Sequence, residues 1–210
     1  MNKPLDGSRD VERAIDRLAR RLPEPLEDLA WISYNYLWTW TPGGKELFRG
    51  IDAHRFLQAG ENPVRFLTNL PERDLLRAAT DGATLERLAA VARRMDEELQ
   101  RPTEQRDANG VLNGKVAFFC AEFAVHSSLP VYSGGLGVLA GDILKESSDE
   151  ALDVVGVGLL YRRGYFHQRM DLTGLATGVL GRGEHRPAAR GAHQDRERRA
   201  ASHHRAGVGR

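Results

Sequence analysis

Residues 116–161 read VAFFCAEFAVHSSLPVYSGGLGVLAGDILKESSDEALDVVGVGLLY, and the fold class turns on them. VAFFCAEF, from Val116 to Phe123, is a short continuous apolar run, as expected of a strand buried on both faces. VYSGGLGVLAGDILKESSDE reads as a glycine-rich turn opening into a helix that begins near Val138. VVGVGLLY is a second buried strand. Strand, glycine turn, helix, strand makes a βαβ unit, and so predicts an α/β fold with a parallel sheet. GYFHQRMD follows a turn at Arg163-Gly164 and reads as a further, shorter strand. The turn pairs Asn109-Gly110 and Asn113-Gly114 mark where this strand-period segment begins.

Upstream, residues 1–108 read as mostly helical. DVERAIDRLARRLP sets Val11, Ile15, Leu18 and Leu22 at helical spacing, and Pro23 and Pro25 end the run. LEDLAWISYNYLWTW reads as a second helix carrying Trp31, Trp38 and Trp40, broken at Pro42-Gly43-Gly44. KELFRGID and NPVRFLTNL are short amphipathic pieces. The clearest helix is GATLERLAAVARRMDEELQRP, with Leu85, Leu88, Val91, Ala92, Met95 and Leu99 in one stripe and Thr84 as the expected cap. Aromatics can stack on sugar rings, but aromatics at helical spacing are more often core, and that is the expectation for the tryptophans.

The near-neutral total of +1 conceals two populations. Leu172 to Arg210 hold eight Arg and four His against three acids, Glu184, Asp195 and Glu197, with no aromatic, Lys, Ile or Met. The rest of the chain is net acidic. Low apolar content predicts disorder for 172–210. A basic tail could bind nucleic acid or an anionic surface, but dispersed acids and missing aromatics and lysines argue against it. Cys120 is the only cysteine, which excludes an internal disulfide and suits a reducing compartment. MNKPLDGSRD has no apolar h-region, and no apolar run is long enough to span a bilayer. The expectation is a soluble cytoplasmic protein, with no nucleic acid and no membrane among its partners.

The candidate site is Ser133-Gly134-Gly135-Leu136-Gly137, between a loop marked by Pro130 and the helix. Glycines let the main chain pass close to a ligand, and the N–H groups at a helix start attract an anion. Phosphate or a phosphorylated sugar is the natural guest, and a tight structural turn is the equal alternative. The pattern is neither GxGxxG nor a P-loop with its Lys-Ser/Thr. Glu122 ends the first strand, as either a working acid or an ordinary strand-end carboxylate. His126 and His167 have no partner at metal-ligand spacing, and no metal site is expected. Asp142 and Lys145 read as a solvated helix face, and no complete catalytic arrangement can be assembled from this segment.

The 116–171 segment, taken with LAWISYNYLWTWTPGGKELFRGIDAHRF and NPVRFL, resembles the bacterial α-glucan phosphorylases of the glycogen, starch and maltodextrin type. The tryptophan-rich part is similar to the extra N-terminal region of that family's shorter bacterial branch, and the resemblance covers roughly residues 24–171. It implies two Rossmann-like domains of the GT-B type with the active site between them. It implies phosphorolysis of a terminal α-1,4-linked glucose to glucose 1-phosphate, with α-1,4-glucan and inorganic phosphate as partners. The cofactor implied is pyridoxal phosphate, acting through its phosphate group. Gly134, Gly135, Leu136 and Gly137 then face the glucosyl and phosphate groups, and Glu122 matches a carboxylate beneath that pocket. Ala124 stands where many relatives carry a larger aromatic. The Schiff-base lysine belongs to a C-terminal domain outside this sequence, so the expectation is an N-terminal fragment that is inactive alone and does not bind the cofactor. The expected organisation is 1–108 helical region, 109–171 start of the first Rossmann-like domain, and 172–210 tail. Two other readings stand beside it. One is a fragment of a glycogen-synthase-like glycosyltransferase, against which SLPVYSGG and YRRGYF speak; the other is a non-catalytic interaction module using the tail.

The tail invites a further expectation. Members of the family continue after YF-x-Q-R-x-D with Gly, then Trp-Gln-Gln-Glu and aromatics. Written as TGG CAA CAG GAG TAC TGG and read one base early behind a C, that stretch gives CTG GCA ACA GGA GTA CTG. Its translation is Leu-Ala-Thr-Gly-Val-Leu, the residues at 175–180. A single-base frameshift at or just before Leu175 is therefore expected.

Overall fold

The structure, a computed structural model, describes residues 7–103, 114–161, 166–170 and 173–180. They fall into two compact units that divide after Arg101.

The first unit is helical: α1 (Gly7–Ala19), α2 (Asp28–Tyr34), α3 (Gly44–Gln58), α4 (Pro63–Asn69), α5 (Glu72–Thr80) and α6 (Gly82–Gln100). Its core holds Leu26, Leu29, Ile32, Leu47, Leu67 and Met95, all fully buried. Trp38 is buried at 1% exposure and meets Phe48 edge-on with centroids 5.2 Å apart; Phe56 stacks on Phe48 at 5.5 Å and meets Phe66 at 5.4 Å. Trp31 and Trp40 are half-buried against this core, and Trp31 Nε1 donates to Asp28 Oδ1 at 3.0 Å. The tryptophans are thus part of the packing, as their spacing predicts.

Local chemistry corrects several boundaries. The expected single helix through the tryptophans stops at Asn35, which is extended (φ −113°, ψ 110°). The Asn35 carboxamide oxygen accepts from Leu37 N at 3.0 Å and caps a separate 3₁₀ turn, Tyr36–Thr39. Short polar side chains compete with helical hydrogen bonding in this way. KELFRGID is the first half of a longer α3 that breaks at Asp52 (φ −162°, ψ 98°). Asp52 Oδ1 accepts from Arg55 N at 2.9 Å, so it caps the second half. The cap of α6 is Asp81 and not Thr84: Asp81 Oδ2 accepts from Thr84 N at 2.9 Å and from Thr84 Oγ1 at 2.6 Å. Thr84 is buried in the first turn, and Leu88, Val91, Met95 and Leu99 line the buried stripe, with Leu85 and Ala92 half-buried at its edge.

The second unit carries the βαβ element. β1 (Val116–Phe119) pairs in parallel with β2 (Val154–Val157), Val116 opposite Val154 and Phe119 opposite Val157. α7 (Gly135–Asp149) makes the crossover and packs on β2. It begins three residues before Val138, because the glycines form its first turn. The strands are shorter than their apolar runs, and the expected burial on both faces is not found. β1 alternates half-buried with exposed residues, and Val155 and Val157 are 41% and 39% exposed. A two-stranded sheet carrying one crossover helix leaves apolar surface uncovered. β3 (Phe166–Met170) pairs antiparallel with β4 (Ala176–Leu180), Phe166 opposite Leu180. β4 lies in the stretch for which composition predicts disorder, and there the chain is a paired strand; 181–210 lie outside the described residues. The architecture is mostly helical with a small parallel sheet, an α/β arrangement. Among the described residues no helix is long and apolar enough to cross a membrane.

Candidate functional site

The chain leaves β1 at Phe119, crosses back over α7, and enters that helix through the glycine loop. Segment 120–133 is held by three hydrogen bonds, one to β2, one to the helix and one within the segment. Cys120 N donates to Val157 O at 3.1 Å, which ties the segment to β2. Ala124 N donates to Gly137 O at 2.8 Å, in the first turn of α7. Glu122 does not end the strand as expected but lies three residues past β1, where its Oε2 accepts from Ser133 N at 3.2 Å and holds the loop's own main chain. Beneath them, Phe123 is buried and meets Phe118 edge-on at 5.6 Å. Gly158 passes close over the Phe123 ring, where a Cβ would lie 3.0 Å from Cδ2.

The glycines divide by task. Gly134 sits at φ 73°, ψ −160°, a conformation open to glycine alone among common residues. Gly134 and Gly135 are exposed, and a Cβ on either would meet nothing within 4 Å. Leu136 is 59% exposed. Gly137 is different: it is buried, and a Cβ there would lie 2.5 Å from Tyr132 Cβ and 3.2 Å from Glu122 Cβ. Gly141, one turn on, is covered by the Ala124 main chain, which a Cβ would strike. Gly141 and Tyr132 were not among the expected site residues, although Gly137 and Gly141 at i and i+4 on one helix face were the available signal. Gly134, Gly135 and Leu136 therefore form the open lip of the loop, while Gly137 and Gly141 form the groove in which segment 122–132 lies.

The lip has the electrostatics of an anion-receiving turn. Among the described residues no side chain caps the first turn of α7, and no acidic residue stands in that turn. The amide groups there carry the positive end of a helix of 15 residues. No Lys or Arg occurs from Cys120 to Gly141, so this stretch offers an anion main-chain donors and no side-chain cation. The same composition bears on pyridoxal phosphate. The lip suits its phosphate group, but no amine stands in this stretch for its aldehyde to condense with.

The other candidates are not drawn into the lip. His126 Nδ1 lies 2.9 Å from Ser128 Oγ and accepts from Ser128 N at 3.2 Å, a local turn bond. Lys145 and Asp142 face each other on α7 at 3.9 Å. The side chain of His167 lies outside the described residues. Among the described residues no group of three or more His, Cys, Asp or Glu could hold a metal ion.

Comparison with known proteins gives these contacts a context. The family model described as "Protein of unknown function (DUF3417)" matches residues 22–129. The glycogen phosphorylase of Mycobacterium tuberculosis is 40% identical over 159 residues, 73% of this chain and 18% of the relative. The maltodextrin phosphorylase of Thermococcus litoralis is 33% identical over 165 residues, 78% of this chain and 20% of the relative. The glycogen phosphorylase of Aquifex aeolicus is 36% identical over 154 residues, 72% of this chain and 21% of the relative. The chain thus spans about a fifth of the length of these relatives. No solved structure matches it.

Proposed function

The chain belongs to the family described as proteins of unknown function, DUF3417, and on that premise we propose that it is the N-terminal part of an α-glucan phosphorylase. The whole enzyme would cleave terminal α-1,4-linked glucose from a glucan with inorganic phosphate and release glucose 1-phosphate. The observation that carries this reading is the 40% identity to the M. tuberculosis glycogen phosphorylase over 159 residues, which runs through both units. The helical unit is the extra N-terminal region, and the βαβ unit is the start of the first Rossmann-like domain of a GT-B fold. Gly134, Gly135 and Leu136 present main-chain donors to the phosphate and glucosyl groups, where such donors stabilise charge as it develops. Gly137 and Glu122 serve from beneath. Pyridoxal phosphate, when bound to the whole enzyme, supplies a phosphate group to the same cleft. This chain alone holds one edge of that cleft and is inactive, and its single thiol suits the cytoplasm.

Two measurements test this. The purified chain, incubated with maltodextrin and inorganic phosphate, is expected to release no glucose 1-phosphate; release would overturn the reading of an incomplete cleft. A chimaera carrying residues 24–171 of this chain in place of the matching stretch of the M. tuberculosis enzyme should remain a phosphorylase. A folded but inert chimaera would sink the family role.

The tail from about Leu175 to Arg210 is read as the same gene in a shifted frame, supported by the absence of aromatics and lysines after Asp171 and by the codon match at Leu175–Leu180. Nucleotide sequence across codons 172–180 decides it. A shifted frame that yields no phosphorylase-like continuation would dismiss the idea.

A further inference from the structure

We propose that Glu122 is a positioning residue, whose carboxylate sets where the lip stands by holding Ser133 N–H, and that it makes no contact with the ligand. What the lip binds rests on the phosphate reading above; how the lip is held does not. The bond spans 3.2 Å and joins residues eleven apart in sequence, across the full width of segment 122–133. It closes a short circuit with Ala124 N to Gly137 O at 2.8 Å, so that the loop is tied to the segment that follows β1 on either side of Gly134. Glu122 also lies against Gly137, with Oε2 3.3 Å from where a Cβ would stand, so any side chain at 137 would dislodge it. An ionised carboxylate in contact with a phosphate dianion would repel it. Engaged with the amide that precedes the lip, the same carboxylate instead fixes the conformation at Gly134, which glycine's freedom would otherwise leave loose.

The test uses the full chain with Glu122→Gln and Glu122→Ala, read by amide exchange at Ser133 and by the shifts of the Gly134 and Gly135 amides during titration with inorganic phosphate. Glutamine keeps an acceptor oxygen and loses the charge; alanine loses both. Glu122→Ala should speed Ser133 exchange about tenfold and weaken the phosphate response by a similar factor, in line with losing one charge-assisted hydrogen bond. Glu122→Gln should restore both to within about threefold of the parent. The proposal is overturned if Glu122→Gln binds phosphate markedly more tightly, since that is the signature of a repelling contact. Unchanged Ser133 exchange in Glu122→Ala would overturn it as well. If the alanine variant does not fold, the glutamine variant alone separates positioning from contact. If the parent amides do not respond to phosphate, the phosphate reading fails, and Ser133 exchange still decides the role of Glu122.

Discussion

Single residues in the helical unit carry constraints that composition hides. Gly44 begins α3 directly over the carbonyl of Trp38, and a Cβ there would overlap that oxygen. Backbone cannot yield as a flexible side chain does, so Gly44→Ala should lower unfolding stability by about 2–4 kcal/mol, read by urea denaturation. Gly82→Ala, where a Cβ meets nothing, is the control and should be neutral or slightly stabilising. Glu61 is the second case. It holds φ 53° between α3 and α4, and its carboxylate takes Lys45 Nζ at 2.9 Å and Arg49 Nη2 at 3.0 Å. Burial by itself would raise its pKa, but the hydrogen bonds and charges of Lys45 and Arg49 outweigh burial and hold it below the ordinary 4.5. A lowered folded-state pKa means the stabilisation is fully present above the unfolded value and is lost as pH falls through the folded one. Glu61→Gln should therefore cost up to about 1 kcal/mol at neutral pH. In chemical denaturation the gap between parent and variant should shrink as pH falls from 4.5 and close once pH has passed the lowered folded-state value, and a gap that does not shrink in acid would rule out the ion pairs as its source.

Elements show where sequence reading works and where it stops. The βαβ order, the glycine turn and the buried stripe of α6 are legible because periodicity and turn residues report directly on which face is covered. The breaks at Asn35 and Asp52 are not, because each depends on a side chain choosing a main-chain N–H two or three residues ahead over the helical alternative. α5 is not legible as a separate helix either, although its Leu75 and Ala78 are buried. The lip was legible as a glycine cluster. The division between Gly134 and Gly135 at the surface and Gly137 beneath Tyr132 needed the path of segment 122–133, which no local pattern encodes. Helix-scale predictions follow. Asp52→Ala removes the internal cap of α3 and should cost about 1 kcal/mol, visible as a lower denaturation midpoint. On α7, Gly137→Ala should destabilise the βαβ unit while Gly135→Ala leaves it folded, read by amide exchange along the helix. Equal effects at the two positions would mean that the groove is not what holds the segment.

At the scale of the whole chain, the two units differ in how much of their apolar surface is covered. The helical unit encloses its core, with Trp38, Phe48 and Phe56 at 1% exposure or less. In the other unit Phe119 is 73% exposed, Leu160 68%, Leu139 62% and Leu159 61%. These residues lie on β1, on α7 and just past β2, and among the described residues β1 and β2 pair only with each other, so each is an edge. Parallel strands are normally covered on both faces, and an unpaired apolar edge is a template for self-association. The relatives are about five times longer than the stretch matched here. Unequal burial predicts unequal local stability within one polypeptide. Amides of α2, α3 and α6 should exchange at the slow rate of global unfolding, while those of β1 and β2 exchange by local opening, faster by about two orders of magnitude or more. The chain should bind a hydrophobic dye at neutral pH and grow in hydrodynamic size with concentration. Replacing Leu159 and Leu160 together by Lys should diminish both effects without moving the denaturation midpoint of the helical unit. Uniform slow exchange through 116–157, in a chain that stays monomeric and dye-free, would show that the βαβ unit is stable with its apolar edge open.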